Sequence, residues 1–96
     1  MLHLIFQSPI DTAILERIAT GDDVVFLENS VLRLLQKSSL SDILAQLLKQ
    51  NRLCVLADDL EVRGIVADEL VKGIGVIDYA ELVSLTVKNP LIQSWS

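Results

Sequence analysis

The chain has 96 residues, 51% of them apolar, one cysteine and a net charge of -5. That length fits one domain over residues 1–96, able to bury roughly 60–65% of its unfolded surface, and the acidic balance, with its eight basic residues scattered, excludes a nucleic-acid surface built on clustered Lys and Arg. A single cysteine cannot close an internal disulfide, so a cytoplasmic location is expected, and a mean hydropathy of +0.48 leaves apolar surface for another protein.

Leu2, Leu4 and Phe6 alternate with His3, Ile5 and Gln7, which predicts an opening strand with one more apolar face. The run from Met1 to Phe6 lacks the basic leader and cleavage site of a signal peptide, and no apolar stretch approaches the ~18–20 residues of a membrane helix. Ser8 is the expected N-cap of a first helix, with Pro9 at its first position and Asp11 at N3. Ile10, Ile14, Leu15 and Ile18 lie on one face of that helix, and Gly21 stops it.

Val24 to Leu27 is a continuous apolar run, followed by the polar turn Glu28-Asn29-Ser30. Val31, Leu34 and Leu35 begin a helix that Ser38-Ser39 interrupts, and Leu40, Ile43, Leu44, Leu47 and Leu48 then give the helical series. Leu53 to Ala57 is a third strand, apolar throughout as a strand covered on both faces must be. Asp58 and Asp59 end it, and either carboxylate suits the cap of a helix starting at Leu60. A loop or single helical turn follows to Gly73, then a short strand at Val76-Ile77. Asp78 and Glu81 form a capping pair for a last helix whose expected apolar face is Tyr79, Leu82, Val83, Thr86 and Val87. Leu91 to Ser96 remains as a tail. This order predicts an α/β three-layer sandwich, Rossmann-like, with a mostly parallel sheet of four to five strands.

The residues offer little chemistry. Cys54 lies inside an apolar strand with carboxylates nearby, a setting that suits a buried core thiol; a reactive carrier thiol is the alternative. His3 has no second ligand at metal spacing, and no glycine loop cradles a phosphate, so no metal or cofactor is expected. Asp58, Asp59 and Arg63 at the strand ends are the residues a small ligand would use. Leu2, His3, Phe6, Leu91 and Trp95, apolar and aromatic residues near the chain ends, are the candidates for a protein interface.

Three segments together resemble one family: Met1 to Pro9, the turn Ala57-Asp58-Asp59-Leu60-Glu61-Val62-Arg63-Gly64, and Ile77 to Lys88 with Gln93-Ser94-Trp95. They are similar to the TusB/DsrH family of the DsrE/DsrF/DsrH sulfur-relay group. The resemblance implies a DsrE/DsrF-like fold and assembly with TusC-like and TusD-like subunits into a dimer of heterotrimers; whether the chain forms a homo-oligomer when alone stays open at this point. It implies a relay of persulfide sulfur from a TusA-like donor to a TusE-like acceptor, ending in 2-thiouridine at the tRNA wobble position. In that group the carrier cysteine belongs to the TusD-like subunit, eight residues before the glycine of its Arg-Gly pair; the same count from Gly64 reaches Leu56. DsrH proteins of sulfur oxidisers can carry a cysteine in the first half of the chain, and here that half has none. The expectation is a non-catalytic subunit of a sulfurtransferase complex; the alternatives are a carrier using Cys54 itself or a DsrEFH-like subunit in sulfur oxidation.

Overall fold

The apolar runs become the middle of a parallel sheet. In the computed structural model, which describes residues 1–96, β1 (Leu2–Ile5), β2 (Asp23–Phe26), β3 (Arg52–Leu56), β4 (Gly75–Ile77) and β5 (Ile92–Trp95) form one sheet in the order β4-β3-β2-β1-β5. All four strand pairs are parallel. β5 lies in the segment expected as a tail: Leu2 N–H donates to the Leu91 carbonyl and Phe6 N–H to that of Trp95, which fills the otherwise open edge of β1.

The helices divide unevenly between the two faces. Each of the first three crossovers steps one strand in the same direction, and right-handed connections of that kind place their helices on one face. There lie α1 (Thr12–Glu16), a 3₁₀ segment at Glu28–Leu34, α2 (Ser41–Leu47) and α3 (Ala57–Val62). Their larger core joins Ile14, Leu15, Val31, Leu34, Leu44 and Leu60 to Ile5, Val24, Phe26, Leu53 and Val55 of the sheet. The last crossover returns across the whole sheet, so α4 (Tyr79–Lys88) must lie on the other face. A smaller core forms beneath it from Leu2, Val25, Leu27, Cys54, Leu56, Ile77 and Leu85. No helix is long and apolar enough to cross a membrane.

Several local expectations are corrected. Ser8 is not the first cap: Asp11 takes that place, its carboxylate accepting from Ala13 N–H at 2.9 Å while Gln7 Oε1 accepts from Asp11 N–H, and Gln7 to Ile10 stays a loop. β1 is covered on both faces, because His3 points into the larger core side and is only 2% exposed. α3 starts at Ala57, directly after the strand, and neither Asp58 nor Asp59 caps it. The capping pair of the last helix is present, with Asp78 Oδ1 accepting from Glu81 N–H at 2.8 Å and Glu81 Oε1 from Asp78 N–H at 3.3 Å. Its buried position, however, is Leu85, while Tyr79, Val83 and Val87 face outward.

Phe26 is fully enclosed at the centre of the larger core. Phe26→Ala is expected to lower unfolding free energy by about 3–5 kcal/mol, read as a fall in the urea midpoint at constant m-value. A loss under about 1 kcal/mol would show that the site collapses around the smaller side chain.

Candidate functional site

Ligands of open parallel sheets bind beyond the carboxyl ends of the strands, where successive connections leave for opposite faces. In this topology that place is between β3, which runs into α3, and β4, which runs into α4. Both helices begin at once: Ala57 follows Leu56, and Asp78 alone separates Ile77 from Tyr79. Connections this short cannot wrap a ligand.

The polar residues at the neighbouring ends are already engaged with one another. Glu28 holds a left-handed backbone (φ 54°), unusual for a side chain of its size, and its N–H donates to Asp59 Oδ2 at 2.9 Å. Arg63 donates from its two fork nitrogens to Asn29 Oδ1 at 3.1 and 2.8 Å and from a third to the Asp59 carbonyl at 3.0 Å. Its guanidinium lies 3.6 Å from Asp59 Oδ1. The network ties the turn after β2 to α3 and engages much of the polar capacity of Asp59 and Arg63 within the chain, where they hold two turns together. Asp58 is exposed and stands apart from the network. No three His, Cys, Asp or Glu side chains gather as a metal site. The largest surface cleft, about 650 Å³, lies between Gln36, Asp68, Leu70, Lys72 and Gly73, ahead of β4 and away from the turns that follow the strands.

Cys54 sits in β3 opposite Val25 and Gly75, 1% exposed beneath α4. Burial pushes its thiol pKa up; the nearby Arg52 cation pulls the other way, and the Asp23 and Glu81 carboxylates add to the rise. A thiol that is both covered and held protonated is a poor nucleophile. Its chemistry is that of a small core side chain.

The interface candidates separate. Leu2 and His3, expected at a surface, are enclosed within the chain. Phe6 and Trp95 are half-buried, and Leu91 is exposed. His3 and Trp95 meet each other: the indole Nε1–H donates to His3 Nδ1 at 3.2 Å, the rings stack 6.4 Å apart, and Arg17 lies 5.9 Å over the indole. Because an indole only donates, Nδ1 must carry the lone pair, and Nε2–H donates to Asp22 Oδ2 at 2.9 Å. Asp22 also accepts from the Met1 amino group at 3.2 Å and Ala19 N–H at 3.1 Å. The sequence reading missed Asp22 and Arg17, since nothing local connects them to residues 3 and 95. Burial alone would raise the Asp22 pKa, but the hydrogen bonds from His3, the amino group and Ala19 outweigh it and hold the carboxyl below its usual range.

The whole chain can be compared with known proteins. The profile of the family described as DsrH like protein matches residues 6–91. Protein TusB of Erwinia tasmaniensis is 36% identical, covering 99% of this chain and 100% of the relative. Protein TusB of Cronobacter sakazakii is 35% identical over the same shares. Among solved structures, a protein of unknown function from Methanobacterium thermoautotrophicum superimposes with a TM-score of 0.79 over 98% of this chain and 96% of its own, at 17% identity. The ychN protein from E. coli gives the same score over 98% and 97%, at 12% identity. These two likenesses establish the α/β fold.

Two outcomes are expected from this site. Labelling of Cys54 by a soluble disulfide reagent at pH 8 will be roughly 100-fold slower or more in the native protein than in urea, because reaction waits on opening of the structure; equal rates would mean an accessible thiol. Asp22, with its folded-state pKa lowered, contributes stability that is full above its unfolded pKa and is lost as pH falls through the folded one. Asp22→Asn is therefore expected to flatten the decline of urea stability from about pH 5 down to about pH 2, and an unchanged slope would remove Asp22 from the acid response.

Proposed function

The chain belongs to the DsrH-like family, and from that membership we propose that it is a sulfur-relay protein of the tRNA thiolation pathway, acting as a non-catalytic subunit of a cytoplasmic TusBCD-like sulfurtransferase complex. Its partners in this reading are TusC-like and TusD-like chains in a dimer of heterotrimers, fed by a TusA-like donor and discharged to a TusE-like acceptor. Support comes from the near full-length similarity to proteins named TusB and from the state of the one thiol.

That thiol is the observation that carries the assignment. Relay requires a thiolate to attack the outer sulfur of a donor persulfide; a new S–S bond forms, the old one breaks, and the donor leaves as thiolate with no net change of oxidation state. The attacking sulfur has to be reachable and deprotonated. Cys54 is covered by α4 and its pKa is raised, so the carrier thiol belongs to another subunit, and this chain contributes surface and architecture. Asp58, Asp59 and Arg63, the alternative small-ligand set, are in large part committed to the protein itself.

Native mass spectrometry of the chain co-expressed with TusC-like and TusD-like chains is expected to give the mixed hexamer, with the added sulfur on the TusD-like chain after loading. Cys54→Ala in that hexamer should leave the sulfur-transfer rate within about twofold of wild type, as for a residue that makes no contact with the reacting atoms. Sulfur on Cys54, or loss of transfer in an intact Cys54→Ala hexamer, would move the chemistry to this chain.

A further inference from the structure

The last strand is the least embedded of the sheet: no residue of β5 is buried, and only Trp95 is half-buried, packed against the larger core. Beyond the backbone bonds to β1, its docking therefore rests on what holds that indole. The indole Nε1–H donates to His3 Nδ1 at 3.2 Å, and the enclosed imidazole donates from Nε2 to Asp22 Oδ2 at 2.9 Å. Each ring nitrogen is then used once, and Nδ1 has no lone pair to spare.

A proton can be added to this imidazole only at Nδ1, the atom the indole occupies. An imidazolium donates from both nitrogens and an indole cannot accept, so Nδ1–H and Nε1–H would face each other and the indole must leave. The other nitrogen responds in the opposite sense, because charging the ring makes its bond to Asp22 charge-assisted. The Asp22 carboxyl, held below its usual range, is ionised throughout the interval in which histidines titrate. The charged groups around the ring are few. The turn before β2 supplies Asp22, the start of β1 the Met1 amino group 3.2 Å from Asp22 Oδ1, and the end of α1 Arg17, 5.9 Å over the indole. β2 and β5 place uncharged Val24 and Gln93 beside His3 in register, while Asp23 pairs with Asn89 and Lys88 beside α4. A charged His3 would join Arg17 as a second cation against one indole, which favours the same release.

We propose that His3 is a proton-operated latch on β5: neutral, it holds the Trp95 indole and keeps the strand docked; protonated at Nδ1, it keeps Asp22, lets Trp95 go and frees β5 from the edge of β1. Docking of Trp95 and protonation of Nδ1 exclude each other, so each weakens the other by the same factor. The docked state binds one proton fewer, so docking is complete at alkaline pH and is lost as pH falls. With one proton involved, the ratio of released to docked strand rises by up to about tenfold per pH unit. Release uncovers the Leu2 and Phe6 N–H groups that Leu91 and Trp95 now satisfy and turns β1 into an open edge. The latch does not depend on the relay role.

The chain has one histidine and one tryptophan, so both ends of the latch give an unambiguous signal. Quenching of Trp95 fluorescence by acrylamide, a neutral probe, is followed in the purified chain from about pH 8 down to about pH 5, the span in which a histidine changes charge. Quenching is expected to rise along a one-proton curve while the helical circular dichroism stays constant. His3→Gln has an amide that can accept from the indole and donate to Asp22 but takes up no proton, so its profile should be flat at the low wild-type level. Asp22→Asn leaves both rings in place and withdraws the anion that favours the imidazolium, so its curve should move down by about one pH unit or more; this variant decides the question if His3→Gln does not fold. A flat wild-type profile, a step accompanied by loss of helical signal, a step that persists in folded His3→Gln, or one unmoved in Asp22→Asn overturns the proposal.

Discussion

The handedness of parallel crossovers is the constraint on which the rest of this structure depends. Three connections step across the sheet in one direction and must put their helices on one face; the fourth steps back and must use the other. The chain is short, so the second face receives a single ten-residue helix. That imbalance sets the location of the buried thiol, the exposed apolar surface and the fifth strand.

Cys54 shows how far such a constraint reaches into chemistry. It occupies the sheet face crossed by α4, and the burial that makes it a good packing residue also holds its proton. Two residues further along β3, at Leu56, the strand approaches the turn where chemistry in such sheets normally occurs. In the proposed role, a subunit without an accessible thiol acts through the surfaces it presents. The network of Glu28, Asn29, Asp59 and Arg63 fits that role, because it fixes two strand-end turns in place instead of leaving polar groups free for a ligand.

The Asp22–His3–Trp95 chain performs the same service at the other edge. β5 joins the sheet through parallel bonds to β1, and its tryptophan is held by a histidine that is itself oriented by an aspartate from the turn before β2. All three side chains have their polar atoms paired, and no buried side-chain nitrogen or oxygen is left without a partner anywhere in the molecule. A late, exposed strand of only four residues gains specificity from these contacts, since an edge strand with weak burial has little else to set its register.

Periodicity and continuity of apolar residues were enough to read the order of elements, the parallel sheet and the burial of Cys54, because a strand covered on both faces has to be apolar at every position. The Asp78–Glu81 cap was equally legible, since its bonds join residues three apart. By itself, then, the sequence determined the fold class and where a thiol is absent. Only the tertiary structure decided that Asp59 serves a neighbouring turn instead of its own helix, that His3 is interior, that the tail is a strand, and that Tyr79, Val83 and Val87 of α4 are turned outward. Each of these depends on groups brought together from distant parts of the chain or on which side of the sheet a crossover takes, and neither leaves a local pattern to read.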